Sequence, residues 1–289
     1  MKRRAAVVGK SGALDAVLSA AIDLPLPEAR ALISRGGVYV DGRRCEDAAR
    51  KVAAGAKLTA VLEESGGAAP AALPVLAVLH EDREVLVVNK PAGLPAQPTP
   101  SRTGADLLAL ATAHLGKPAG LVHRLDKDTT GVTIFGKTKL ATTRLAAAFR
   151  EGRAHKTYVA ACGASLPERG EIDLKLSKDP SRPGRWRASK TANGVKAETS
   201  FVRRGLGDGF AVVDLFPRTG RTHQLRAHLA GIGAPILGDV LYGGERLAPR
   251  AGGPLPSRCL LHAWKLEIDG RVYEAPVPED LAAYLGAIS

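Results

Sequence analysis

Beyond residue 74 the apolar segments of this chain run strand, strand, helix, strand, helix, then three strands, a helix, a strand and a closing helix. A doubly wound sheet needs strict alternation, so this order favours an α+β fold with a mixed, largely antiparallel sheet and flanking helices. The strand candidates are VLAVLHED, EVLVVNK, GVTIFGKT, HKTYVAACG, AETSFVRR, GFAVVDLF and CLLHAWKLEI. Apolar spacing predicts helices over 105–115 and 139–152, and a last one starting near Pro278. PAGLPAQPTP carries four prolines in ten residues and cannot be regular structure. Stiff loops of this kind often line sites.

Residues 63–74, EESGGAAPAALP, are small and flexible and read as a linker, dividing the chain into units 1–66 and 67–289. In the first unit Leu14, Val17, Leu18 and Ala21 fall at helical spacing, and a second helix is expected over 27–35. VYV, a turn at Asp41-Gly42 and a strand near LTAVL complete a small sheet. About 60 residues make a marginal fold alone, so this unit is expected to dock on or be tethered to something larger.

No apolar run reaches the roughly 18 to 20 residues needed to cross a bilayer. The apolar start of the chain is broken by Lys10, Ser11, Gly12 and Asp15, which argues against a secretory leader. Cys45, Cys162 and Cys259 are far apart and odd in number, as expected of reduced thiols in the cytoplasm. No metal-ligand spacing and no cofactor fingerprint is found: His223 and His228 are five apart, and the GKS at Gly9 lacks the upstream glycine of a phosphate loop. The net charge is +12, and between 137 and 196 fourteen basic residues stand against five acidic ones. A stretch of one sign is the electrostatic footprint of a polyanion, here nucleic acid.

Within this basic chain HRLDKDTTG sets a carboxylate, Asp126, behind His-Arg-Leu. It could merely cap a turn. Arg124, two residues away, points to the same face in an extended segment, and a guanidinium nearby holds a carboxylate as an anion ready to attack. A distant segment, RTGRTHQLRAHLAGIGAPILGDVLYGG, brings three arginines around a predicted helix with Leu225 and Leu229 on one face. Those arginines either bind phosphate or include a partner for Asp126.

HRLDKDTTG resembles the central motif of the RluA-type RNA pseudouridine synthases, HRLDxxTSG, with Thr130 in place of serine. NKPAGLPAQP is similar to that family's first motif, with Gln97 where histidine is frequent. HKTYVAACG, RTGRTHQLRAHLAGIGAPILGDVLYG and LHAWKLEI resemble its later ones, all in family order across 87–268. EARALISRGGVYVDGRRCEDAARKVAAGAKL resembles the alpha-L, S-four-like RNA-binding domain, though Ala56 follows Gly55 where that family usually has aspartate.

The resemblance implies an isomerase that turns uridine in RNA into pseudouridine without cofactor or metal. By similarity Asp126 is the nucleophile, attacking either the sugar or the uracil ring. Tyr158 packs on the flipped base and Arg221 ion-pairs with Asp126. Arg124 fills the vacated stack and Leu225 walls the pocket. Asn89, Lys90 and Pro91 shape the site, while His123 and His223 are supports rather than bases. Large-subunit ribosomal RNA is the implied target and transfer RNA the alternative, with the protein expected to be a cytoplasmic monomer. A non-catalytic RNA binder would leave the Asp126, Tyr158 and Arg221 set unexplained, and a glycoside hydrolase would need a second carboxylate such as Asp128.

Overall fold

The computed structural model describes residues 2–34, 37–62, 75–98, 105–182, 184–190, 193–244 and 256–288. Its contacts divide into residues 1–74 with 97–106, and 75–96 with 107–289. The expected linker at 63–74 lies outside the described residues.

The first unit comprises β1 (Lys2–Val7), β2 (Gly12–Ala13), α1 (Leu14–Ile22), α2 (Leu26–Ser34), β3 (Val38–Val40), β4 (Arg43–Cys45), β5 (Lys51–Val52) and β6 (Lys57–Leu62). Its sheet runs β1-β6-β3-β4, with β2 paired to β5. Leu14, Leu18 and Ile22 bury one face of α1 against Leu32 and Ile33 of α2. Ile22, one residue past the expected Ala21, supplies the last contact because Ala21 faces out. The two-residue turn at Asp41 (φ 50°) and Gly42 (φ 77°) matches the twist of β3 and β4. Strand β1 was hidden in the sequence by its basic residues, and its pairing with β6 over six residues defines it.

The second unit contains β7 (Ala77–Glu81), β8 (Val85–Lys90), α3 (Leu107–Leu115), β9 (Gly120–Leu121), β10 (Thr130–Gly136), α4 (Lys139–Arg150), β11 (His155–Gly163) and β12 (Arg169–Asp173). It continues with β13 (Lys175–Lys178), β14 (Trp186–Ser189), β15 (Glu198–Gly207), β16 (Phe210–Pro217), α5 (Gln224–Gly231), β17 (Leu261–Ile268), β18 (Arg271–Glu274) and α6 (Glu279–Leu285). The main sheet runs β12-β15-β16-β11-β17-β10-β8-β7, with β9 and β18 attached at its side. Among the described residues only β10 and β17 pair in parallel, so the sheet is mixed and largely antiparallel as expected. All seven residues of β10 are buried. Helix α4 covers it with Ala141, Leu145 and Ala148, and starts where the Thr138 hydroxyl accepts from the Ala141 amide. The hairpin β13–β14 and the short strands β9, β12 and β18 were not anticipated.

The register places the site. Strand β17 lies between β10 and β11, with Ala263 opposite both Gly131 and Tyr158. A ribbon three strands wide therefore brings the end of HRLDKDTTG beside HKTYVAACG. Gly131 (φ 114°) permits it, since a Cβ there would meet the Ala263 carbonyl. The register between β11 and β17 slips at Thr157/Tyr158, and a bulge of this kind re-aims a side chain next to a site.

Candidate active site

Asp126 sits in the turn ahead of β10, where the Thr129 amide donates to its carbonyl at 3.2 Å. Its carboxylate is about a quarter exposed and receives Nη1 of Arg226 at 3.2 Å. Nε2 of His223 stands 3.9 Å away. Tyr158, on β11, is buried in one apolar cluster with Leu125 and Leu225. Burial, reinforced by the Asp126 charge, pushes its phenol well above the ordinary tyrosine range, so it is neutral and carries its proton.

The ion-pair expectation for Arg221 is corrected. Arg221 is exposed and precedes α5, its backbone amide donates to Gln224 Oε1 at 3.0 Å, and its Nε donates to the Lys196 carbonyl at 3.2 Å. The cation at the carboxylate is Arg226, inside the first turn of α5. Gln224 ties the loop down further by accepting from the Thr219 hydroxyl at 2.7 Å and donating to the Glu198 carbonyl at 2.9 Å. That tether holds Arg221 outside while α5 turns Arg226 inward. Arg124 is exposed, and Leu225 belongs to the core while bordering the same cluster as Tyr158.

Arg226 is itself anchored. Its Nε and Nη2 donate to the two oxygens of Asp239 at 2.7 and 2.8 Å, and its guanidinium lies over the Tyr242 ring at 5.1 Å. Burial opposes its charge but Asp239 outweighs that, so it is held firmly as a cation. Tyr242 accepts from the Trp186 amide at 3.0 Å and stands 3.2 Å from His223 Nδ1. With its phenol donating there, the His223 proton is left on Nε2, the nitrogen facing Asp126. His223 caps α5 at φ 55°, in the left-handed region. Burial depresses its pKa, although the neighbouring Asp126 charge works the other way.

Lys90 closes the site from behind. It is fully buried at the end of β8, and Nζ donates to the carbonyls of Pro91, Leu94 and Lys127 at 2.9, 2.8 and 2.8 Å. Those bonds staple the proline loop to the residue after Asp126. Burial draws its pKa down to about 7 against the charges of Asp128 and Asp126, which favour the ammonium. Thr130 spends its hydroxyl on buried His262 Nδ1 at 2.8 Å rather than on capping a turn. His123 stacks on Phe149 and accepts from the Ile134 amide at 3.1 Å, a support role. A cavity of about 560 Å³ opens beside the pair, lined among others by Asp128, Ser181, Arg182, Arg226 and Arg258, while Asp126 and Tyr158 are not on its wall.

An acid held against a fixed guanidinium, with a protonated phenol and an apolar wall beside it, is equipped for nucleophilic attack on a planar base or its sugar. Residues 84–231 match the family model described as RNA pseudouridylate synthase. The chain belongs to the RNA pseudouridylate synthase family. Residues 14–58 of this synthase-family chain match the S4 domain. It is 35% identical over 227 residues to the ribosomal large subunit pseudouridine synthase D of Nitrosomonas europaea, covering 74% of this chain and 65% of that one. It is 37% identical over 202 residues to the dual-specificity RNA pseudouridine synthase RluA of Yersinia pestis, covering 69% of this chain and 95% of that one. The human RNA pseudouridylate synthase domain containing 4 structure superposes with a TM-score of 0.58 at 26% identity, over 73% of this chain and 92% of that chain.

Proposed function

We propose that this chain isomerises uridine in RNA to pseudouridine, with large-subunit ribosomal RNA as the substrate. The observation that carries the reading is the Asp126–Arg226 pair at 3.2 Å, set beside Tyr158 by the shared register of β17. The reaction breaks the bond from ribose to the uracil nitrogen and joins the same ribose to a ring carbon, so no atom is gained or lost overall. Asp126 is the nucleophile, dividing one hard substitution into two easier steps. Arg226 holds it in place through that ion pair. A stacked uridine must leave its helix to reach the carboxylate, at a cost of a few kcal/mol. Tyr158 and Leu225 receive the extruded base, and exposed Arg124 takes its place in the stack.

The ribosomal target rests on the names of the relatives and on the +12 charge, and the buried free thiols of Cys45, Cys162 and Cys259 suit a cytoplasmic enzyme. The test uses the purified full chain with large-subunit ribosomal RNA and, separately, transfer RNA, followed by pseudouridine mapping. Wild type is expected to modify the former. Asp126→Asn is expected to retain RNA affinity and lose all product. Product from that variant would remove Asp126 as nucleophile, and product only on transfer RNA would replace the substrate.

A further inference from the structure

Asp239 is a carboxylate with no exposed side-chain surface, and among the described residues its ion-pair partner is Arg226. Every acceptor position on it is taken. Oδ2 receives Arg226 Nε at 2.7 Å and the Cys259 thiol at 3.6 Å, while Oδ1 receives Arg226 Nη2 at 2.8 Å and the Leu241 amide at 3.2 Å. The turn that carries it is locked by its own backbone: the Asp239 amide donates to the Ile236 carbonyl, and the amides of Tyr242 and Gly244 donate to the Asp239 carbonyl. A buried charge this completely satisfied defines the position of whatever it binds.

It binds the guanidinium by two of its three nitrogens. A planar fork seated on two carboxylate oxygens, with the Tyr242 ring 5.1 Å beneath it, has no freedom to rotate. The remaining nitrogen, Nη1, then points at Asp126 Oδ2, 3.2 Å away. We propose that Asp239 is the positioning residue of the nucleophile's ion pair: it fixes Arg226 so that one N–H edge, and one only, meets Asp126. This rests on the reading of Asp126 as the nucleophile. The described contacts of Asp239 do not include Asp126, and it acts through Arg226. It also shares the guanidinium charge between two acids, so Asp126 is held in place without being the sole owner of that cation.

The inference makes a claim about coupling that a stabilising role would not. Single-turnover pseudouridine formation at saturating RNA, RNA affinity and thermal unfolding are measured for wild type, Asp239→Asn, Arg226→Gln and the double variant. The amide of Asp239→Asn presents a donor to a donor on one side of the fork, and misplacing a reactive group by about 1 Å costs on the order of 10²-fold in rate. Asp239→Asn is therefore expected to slow the step by about 10²-fold with RNA affinity within about threefold of wild type. In the Arg226→Gln background the same change is expected to cost less than about threefold, because its effect has no remaining route.

Multiplying losses in the double variant, or a wild-type rate in Asp239→Asn, would overturn the inference. If Asp239→Asn does not fold, Asp239→Glu keeps the charge and moves the fork by one methylene. A loss beyond about tenfold at unchanged RNA affinity then supports the inference and a wild-type rate refutes it. Wild type that makes no pseudouridine at all would refute the activity as well, whereas an active wild type with an insensitive Asp239 would refute this inference alone.

Discussion

Two arginines five positions apart, Arg221 and Arg226, present the same chemistry in the sequence and opposite fates in the fold. Arg221→Ala is expected to leave the single-turnover rate within about threefold, because among the described residues its side chain bonds to the Lys196 carbonyl alone. Arg226→Lys keeps the charge but cannot seat a fork on Asp239 and reach Asp126 together, so a loss on the order of 10²-fold is expected in the same assay. Equal losses for the two would return the ion pair to Arg221. That Asp126, Tyr158 and Leu225 fall in one region was legible from motif and order alone. The Arg226–Asp239–Tyr242–His223 cluster was not, because its meaning lies in which way α5 starts, and that is set by Gln224 gripping a turn five residues long. Lys90 was read only as part of a shaping motif, since nothing local tells a solvated lysine from one holding three carbonyls.

At the scale of elements, the strands and helices longer than about six residues followed their apolar spacing, as did β7 and the three-residue β3, while other short strands did not. The hairpin β13–β14 and the strands β9 and β18 have too few residues for a period to show, and pairing rather than propensity defines them. The glycine closing HRLDKDTTG could be read as a turn residue, yet its stated use is contact with β17. Gly131→Ala combines a positive φ with a clash against the Ala263 carbonyl, a backbone atom that cannot yield. It is expected to cost about 3 kcal/mol or more, seen as a large fall in the denaturant midpoint of the catalytic unit. A midpoint within experimental error of wild type would mean that β10 and β17 do not approach as described.

For the molecule as a whole, acid sensitivity follows from histidines kept neutral inside it. His262 is fully buried between Thr130 and the Ala275 carbonyl, and burial draws its pKa down to about 4. Burial moves His123 the same way, to about 3. An unfolded histidine titrates near 6.5, so below that pH the unfolded chain binds the proton first. The stability these groups supply is complete above about pH 6.5 and declines as the pH falls toward 4, by about 1.4 kcal/mol per unit for a fully buried histidine. Urea unfolding at pH 7 and pH 5 should show that loss for wild type and a shallower one for His262→Gln, and parallel slopes would contradict it. The fold class and the basic surplus were available from sequence order and charge, but the residues that sense pH were not, because burial is a property of the finished core. Strand β17 carries a last consequence, for the order of events during synthesis. Residues 126, 158 and 226 are all translated before the strand that seats them side by side, so a nascent chain arrested ahead of residue 261 should bind RNA yet be catalytically mute, gaining activity only once residues 261–268 emerge.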